Sequence, residues 1–162
     1  MLKNGFRRTI GFFTIAPFIL AIRVLTSLIG AQRAEAVVGP MMTAVAKLSL
    51  KLSVPKIQPG DDFSIFVTGM KRSLWLWKLV FDVEIAEESA ERLELRIANC
   101  PFCEALAACD ESRLSPYVCR GDWAFAAENT ARWGFERHHE IGNGATFCDH
   151  TYKRLPRTAE QG

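Results

Sequence analysis

The sequence has almost no excess of charge of either sign. It contains 20 lysines and arginines against 18 aspartates and glutamates, which gives a formal net charge of +2. The basic residues are scattered along the chain, and no stretch resembles a nucleic-acid-binding motif. Binding to nucleic acid depends on a concentrated positive surface. The composition therefore argues against nucleic acid as a partner.

The five cysteines lack the number and the spacing of a disulfide framework or a zinc ribbon. An odd count leaves one thiol over in a secreted protein, so a reduced, cytoplasmic compartment is favoured. Cys100-x-x-Cys103 has the spacing of half a zinc knuckle, but the second pair of ligands is missing. The same spacing occurs in thioredoxin-like proteins, but the alternation of strands and crossover helices that they require is also missing. A divalent metal remains an alternative, and its ligands would be Cys100, Cys103, Cys148 and His150.

The first thirty residues lack the clean hydrophobic run of a simple membrane span. Residues 9–30 are strongly apolar and approach the length of a bilayer span. However, Arg23 would be costly at the bilayer centre, and Pro17 interrupts the first half. Three alternatives follow: a helix lying on a membrane surface, a helix packed on its own domain or on a second copy of the chain, and a true span. The first of these would attach a cytoplasmic protein to the inner membrane.

Two further helices are predicted before the middle of the chain. Apolar residues at steps of three and four share one helical face and predict an amphipathic helix that ends before Pro55; they are Ala34, Val38, Met41, Val45, Leu48 and Leu52. A second helix, through Phe63, Phe66 and Met70, is capped by Asp61 or Asp62.

The second half predicts strands with two short helices between them. Alternating apolar residues predict a hairpin over residues 81–97, and the Asn143-Gly144 turn predicts another over residues 135–152. We expect an α+β fold in which N-terminal helices pack on a small, mostly antiparallel sheet. The expected division is an apolar helix over residues 1–30, an α+β domain over residues 31–156 and a disordered tail over residues 157–162.

The junction at Cys100-Pro101 marks the start of the first short helix. Proline is favoured at the first helical position, which makes Cys100 the N-cap. The helix dipole favours a thiolate there and lowers a thiol pKa. A second helix starts at Ser115-Pro116, and it places Cys119 and Asp122 on one face.

The last hairpin brings histidine and cysteine together across its strands. A two-residue turn would place His139 opposite Cys148 and Arg137 opposite His150. A three-residue loop would place His138 opposite Cys148 instead. We therefore expect the thiols of the two helices and of this hairpin to converge on one functional site, which contains Cys100, Cys119 and Cys148.

At these residues the chain resembles the bacterial L-2-amino-thiazoline-4-carboxylic acid hydrolase family. The resemblance covers roughly residues 83–154 and rests on Cys100-Pro101, on Cys119 with Asp122, and on the closing Gly-x-x-x-Cys-Asp element over residues 144–149. It departs from the family pattern at His150, where an aromatic residue is common. The chain is also similar, more loosely, to vinyl-reductase-type small-molecule-binding domains.

The resemblance implies hydrolytic opening of a cyclic amidine-thioether, which needs a nucleophile, a general base, a group that orients it and a cation for the substrate carboxylate. The candidate nucleophile is Cys100 or Cys119, and the candidate general base is His139 or His150. Asp122 would orient the base, and Arg137 would bind the substrate carboxylate. Cys148 completes the catalytic set, and Asp149 is a further substrate-binding candidate. The competing interpretations are a non-catalytic module that binds a metal or small molecule, and a membrane-associated interaction protein.

Overall fold

The computed structural model of the protein describes residues 2–156. The tail predicted over residues 157–162 lies outside the described residues. Within the described part of the chain, the α-helices are α1 (Leu2–Ile29), α2 (Ala31–Ser53), α3 (Phe63–Val80), α4 (Pro101–Ala108) and α5 (Ser115–Ala127). The strands are β1 (Val83–Glu88), β2 (Arg92–Ile97), β3 (Gly134–Glu136) and β4 (Cys148–Lys153).

The four strands form one antiparallel sheet in the order β1-β2-β4-β3. β1 and β2 form the predicted hairpin, and the two short helices α4 and α5 lie in sequence between the two strand pairs. The predicted α+β class, with N-terminal helices and a small antiparallel sheet, is confirmed.

Two hydrophobic cores hold these elements together. One lies between α3 and the sheet and includes Phe66, Met70, Leu95 and Tyr152. The other lies among α1, α2 and α4, and it contains Leu106 among its fully buried residues. The helical layer and the sheet layer thus each have an apolar interior, and a cavity lies where the two meet.

Helix α1 packs on the rest of the chain along one side. Ile15, Ile19 and Ile22 are buried in the second core. Arg23, which the sequence left inside an apolar run, donates to the carbonyl oxygen of Cys109 over 2.9 Å. Its guanidinium therefore bonds within the protein, at the C-terminal end of α4.

The other side of α1 is exposed and apolar, and it includes Phe13, Leu20 and Leu28. Among the described residues, one helix is long and apolar enough to cross a membrane, and it covers Gly5–Ile29. Core helices and signal sequences near an N-terminus meet the same criterion. The helix alone is thus weak support for a membrane location.

The helix predicted from the apolar repeat is α2, but the predicted buried face is wrong in its second half. Met41, Val45, Leu48 and Leu52 are exposed, whereas α2 buries Ala34, Val38, Gly39, Met42 and Leu50. Small residues set this orientation. A Cβ on Gly39 would overlap the ring of Tyr117, and a Cβ on Gly121 would overlap the side chain of Ala46. These close approaches bring α5 onto a face adjacent to the one that the repeat predicts.

Helix α3 begins as predicted and continues further. The Asp62 carboxylate accepts a hydrogen bond from the backbone N–H of Ser64 at 2.8 Å, which confirms the N-cap. The helix continues to Val80, so Trp77 lies in its last turn with its side chain buried.

Candidate functional site

A cavity of about 250 Å³ lies between the two hydrophobic cores. Its walls come from α1, α2 and α3, and they include Phe18, Met42 and Leu76. Its floor is formed by α5, β4 and the loops beside them. The volume is close to the lower end of the range for small-molecule sites.

All three thiols that we expected to converge line this cavity, and so do three polar side chains of the predicted site. The set comprises Cys100, Cys119, Cys148, Asp122, Arg137 and His150. Cys148 and His150 reach the cavity together because alternate residues of a strand face the same side. Residues that are distant in the sequence are thus brought to one place.

Cys100 is the N-cap of α4, with Pro101 at the start of the helix, as predicted. The expectation that this position lowers its thiol pKa is wrong. The hydrogen bond with Cys103 and the burial of the thiol raise the pKa of Cys100 well above its usual value. Desolvation and a thiol neighbour outweigh the dipole of this short helix, so Cys100 stays protonated.

Cys148 is the thiol whose surroundings favour the thiolate. A hydrogen bond from the Cys119 thiol lowers the pKa of Cys148. Burial opposes this, while Arg137 and the backbone N–H of Ile141 lower the pKa further. That N–H donates to Sγ of Cys148 over 3.2 Å. Cys119 is the partner that keeps its proton, because the same hydrogen bond and burial raise its pKa.

Arg137 and Asp122 form a buried ion pair beside these thiols. Nη1 of Arg137 donates to Oδ2 of Asp122, and it also lies 3.4 Å from the carbonyl oxygen of Cys119. Nε of Arg137 lies 3.9 Å from the carboxylate of Glu140. The guanidinium thus already faces two carboxylates.

Asp122 and His150 are the titratable neighbours of this pair. Burial raises the pKa of Asp122 to about 6, although Arg137 acts in the opposite direction. Burial, aided by Arg137, lowers the pKa of His150 far below its usual 6.5, so this imidazole is neutral at neutral pH. Nε2 of His150 lies 3.7 Å from Oδ2 of Asp122, which is wider than a hydrogen bond. Asp122 is therefore the group of the cavity that can exchange a proton near neutral pH.

The last hairpin keeps the register of the two-residue turn but is shorter than predicted. Glu136 pairs with Thr151, and extension of that register would place Arg137 opposite His150. The ladder ends at Glu136, because the Asp149 carboxylate accepts from the backbone N–H groups of His138 and His139 instead. The chain then makes a 3₁₀ turn over Ile141–Asn143, with Gly144 in the left-handed region at φ 95°.

His139 and Asp149, which the sequence placed in the site, lie outside the cavity. The His139 side chain is 51 % exposed and stacks on Phe147. The backbone hydrogen bonds to Asp149 outweigh its burial and lower its pKa. In this position Asp149 holds the loop that carries Arg137, and neither residue faces the other site residues.

Three buried polar atoms of cavity-lining residues have no hydrogen-bond partner within the described part of the chain. They are Nε1 of Trp77, Nε of Arg137 and Nδ1 of His150. Buried polar groups are usually hydrogen-bonded, so these atoms are suited to bind a ligand. The sequence carries no motif that marks Trp77 or Glu140 as a site residue.

No group of three or more histidine, cysteine, aspartate or glutamate side chains is placed to hold a metal ion among residues 2–156. The ligand set considered from the sequence, Cys100, Cys103, Cys148 and His150, is not arranged as one. All five cysteines, which lie within this range, are free thiols.

Comparison with known protein families gives a match over most of the chain. The family model described as L-2-amino-thiazoline-4-carboxylic acid hydrolase matches residues 12–152. No curated protein and no solved structure matches the chain. The matched range starts within α1 and ends within β4, so it takes in the N-terminal helices as well as the residues that line the cavity.

Proposed function

Because the chain belongs to the L-2-amino-thiazoline-4-carboxylic acid hydrolase family, we propose that it is a hydrolase that opens a cyclic amidine at its carbon–sulfur bond, with Cys148 as the nucleophile. The observation that carries the proposal is the setting of Cys148. Its sulfur lies at the floor of the cavity with a thiol donor, a backbone N–H donor and a guanidinium around it. A thiolate is the reactive form of cysteine.

In the first step the Cys148 thiolate adds to the amidine carbon between nitrogen and sulfur. A new carbon–sulfur bond forms to Cys148, and the carbon–sulfur bond of the ring breaks. The electron pair leaves with the ring sulfur, which takes one proton from solvent. The unpartnered N–H groups of Trp77 and Arg137 are suited to donate to this sulfur while it carries negative charge.

In the second step water adds to the same carbon. The Asp122 carboxylate accepts one proton of the water, and the second moves to the substrate nitrogen. The bond to Cys148 breaks, its electron pair returns to the thiolate, and a carbonyl group is left on the product. Asp122 then releases its proton to solvent. A carboxyl with a pKa of about 6 is suited to this role at neutral pH.

The experiment is a turnover assay on the full chain with 2-amino-thiazoline-4-carboxylate and 2-aminothiazoline, followed by mass spectrometry of the ring-opened product. We expect Cys148→Ala to lower kcat by at least about 10³-fold. The matched control is Cys109→Ser, because Cys109 does not line the cavity. We also expect kcat to rise with pH through about 6 as Asp122 loses its proton.

Two results would contradict the proposal. One is full activity of Cys148→Ala, because the reaction would then need another nucleophile. The other is binding of both compounds without turnover by the wild-type protein, which would favour the non-catalytic binding module.

For the cellular location, we propose that α1 lies on a membrane surface and does not cross it. Arg7 and Arg23 bond within the domain, whereas Leu20 and Leu28 are exposed. Large exposed apolar patches mark interaction or membrane surfaces.

Flotation of the full chain with phosphatidylethanolamine–phosphatidylglycerol vesicles tests this proposal. Leu20→Glu combined with Leu28→Glu should abolish flotation. Ile65→Glu combined with Leu79→Glu, which places the same two charges at exposed positions of α3, should leave it unchanged. Flotation of the α1 double variant would overturn the proposal. So would an α1 double variant that still floats but no longer forms a dimer, because the apolar side of α1 would then bind a second copy of the chain.

A further inference from the structure

The cavity differs from what the named substrate of the family requires. That substrate is a small ring with a carboxylate. Here the helical walls are mainly apolar, with Ile15, Phe18 and Met42 among the lining residues. Their polar groups are the hydroxyls of Thr14, Ser49 and Ser53, and the charged side chains lie at the floor. A small polar ring on the floor would leave this apolar space without a partner.

The charges at the floor also disfavour a carboxylate on the ligand. Arg137 is the residue that we expected to bind it, but its guanidinium is paired with Asp122 and lies 3.9 Å from Glu140. An anion brought to this floor would lie among negative charges and would meet a cation that is already neutralised.

Polar atoms without a hydrogen-bond partner in the described part of the chain belong to residues that line the cavity. Trp77 and His150, which carry two of these atoms, are both more than nine-tenths buried. Their rings meet edge to face, with centroids 5.9 Å apart, and both residues line the cavity. A ligand that bonds to these atoms would direct the rest of its surface into the space between α1, α2 and α3.

We propose, resting on the function proposed above, that the substrate is a cyclic amidine without the carboxylate, and that an apolar alkyl or aryl group in its place occupies the helix-lined part of the cavity. The amidine carbon lies at Cys148, and the apolar group extends past Met42 toward Val45. A positively charged amidine is compatible with this floor, because the acidic groups outnumber Arg137 there.

Binding is measured by calorimetry on the full-length Cys148→Ser variant, so that turnover does not obscure it. The probes are 2-aminothiazoline, its 4-carboxylate and a series of 4-alkyl derivatives up to hexyl. We expect the dissociation constant to fall about fourfold for each methylene until the cavity is filled. The carboxylate should bind more weakly than the unsubstituted ring.

A matched pair of variants tests whether the gain comes from the cavity. Val45 lies at the cavity and is 44 % exposed, and Val37 lies on the same helix outside it and is 47 % exposed. Val45→Phe should remove most of the gain from the hexyl group, and Val37→Phe should keep it. If both variants lose the gain in affinity from the hexyl group equally, or if neither variant loses it, the apolar group is not bound in this cavity.

The opposite ranking would overturn the inference: tightest binding of the carboxylate, or a dissociation constant that does not depend on chain length. Failure of the proposed function is seen separately, as absence of turnover by the wild-type protein with every probe. If Cys148→Ser does not fold, protection of Cys148 from iodoacetamide in the wild-type protein gives the same ranking of ligands.

Discussion

The backbone N–H of Ile141 donates a hydrogen bond to Sγ of Cys148 over 3.2 Å. The turn that supplies this N–H can approach because its next residue is a glycine. A Cβ on Gly142 would overlap the carbonyl oxygen of Ser115 and lie 2.7 Å from Sγ of Cys119. The 3₁₀ turn, α5 and β4 therefore meet at the two sulfur atoms, and their close packing sets the protonation of the pair.

The first prediction concerns the thiol donor. Cys119→Ala removes the hydrogen bond that contributes most to the lowered pKa of Cys148. The pKa of Cys148 should therefore rise, and its alkylation by iodoacetamide at neutral pH should slow about tenfold for each unit of the rise. Cys119→Ser keeps a donor at the same place and should remain near the wild-type rate. Peptide mapping at a series of pH values measures both, and equal rates in the two variants would show that the donor has no effect.

The second prediction concerns stability and pH. The folded state keeps the proton of Asp122 up to a pH of about 6, whereas the unfolded chain loses it near 3.8. The folded state therefore binds more protons between these values, and the contribution of Asp122 to stability falls as the pH rises through this window. Asp122→Asn should flatten that dependence, because the amide does not titrate in this range.

Urea unfolding at a series of pH values provides the measurement for Asp122→Asn. The control is Asp110→Asn, at an exposed carboxyl, which should keep the wild-type dependence. An unchanged pH dependence in Asp122→Asn would show that burial does not perturb this carboxyl.

The third prediction tests the packing of α1. A Cβ on Gly11 would overlap the backbone of Pro101, whereas a Cβ on Gly5 meets nothing within 4 Å. Gly11→Ala should therefore lower the free energy of unfolding by about 1–3 kcal/mol. Gly5→Ala should leave it unchanged or raise it by up to about 1 kcal/mol through helix propensity. Thermal unfolding of both variants measures this, and two equally stable variants would mean that α1 does not pack on α4 in solution.

The sequence predicted those features that depend on neighbours along the chain. The Cys100-Pro101 helix start and the aspartate cap of α3 follow from local rules of capping. The α+β class followed from the apolar periodicity.

Features that depend on distant partners could not be read in this way. Cys100 has the local setting of a reactive thiol, yet burial and Cys103 keep it protonated, while Cys148 depends on Cys119 and Ile141 from other elements. The orientation of α2 is likewise set by its contact with α5, where Gly39 meets Tyr117. No pattern within the sequence of α2 indicates that contact.

The most direct test of the account is to trap the substrate on Cys148. The Asp122→Asn variant lacks the group that removes a proton from the attacking water, so the adduct should accumulate when 2-aminothiazoline is added. Mass spectrometry of the quenched protein, followed by peptide mapping, should find the added mass of the ring-opened substrate on the peptide that contains Cys148. An adduct on Cys100 or Cys119, or turnover with no adduct on any cysteine, would contradict the assignment of Cys148 as the nucleophile.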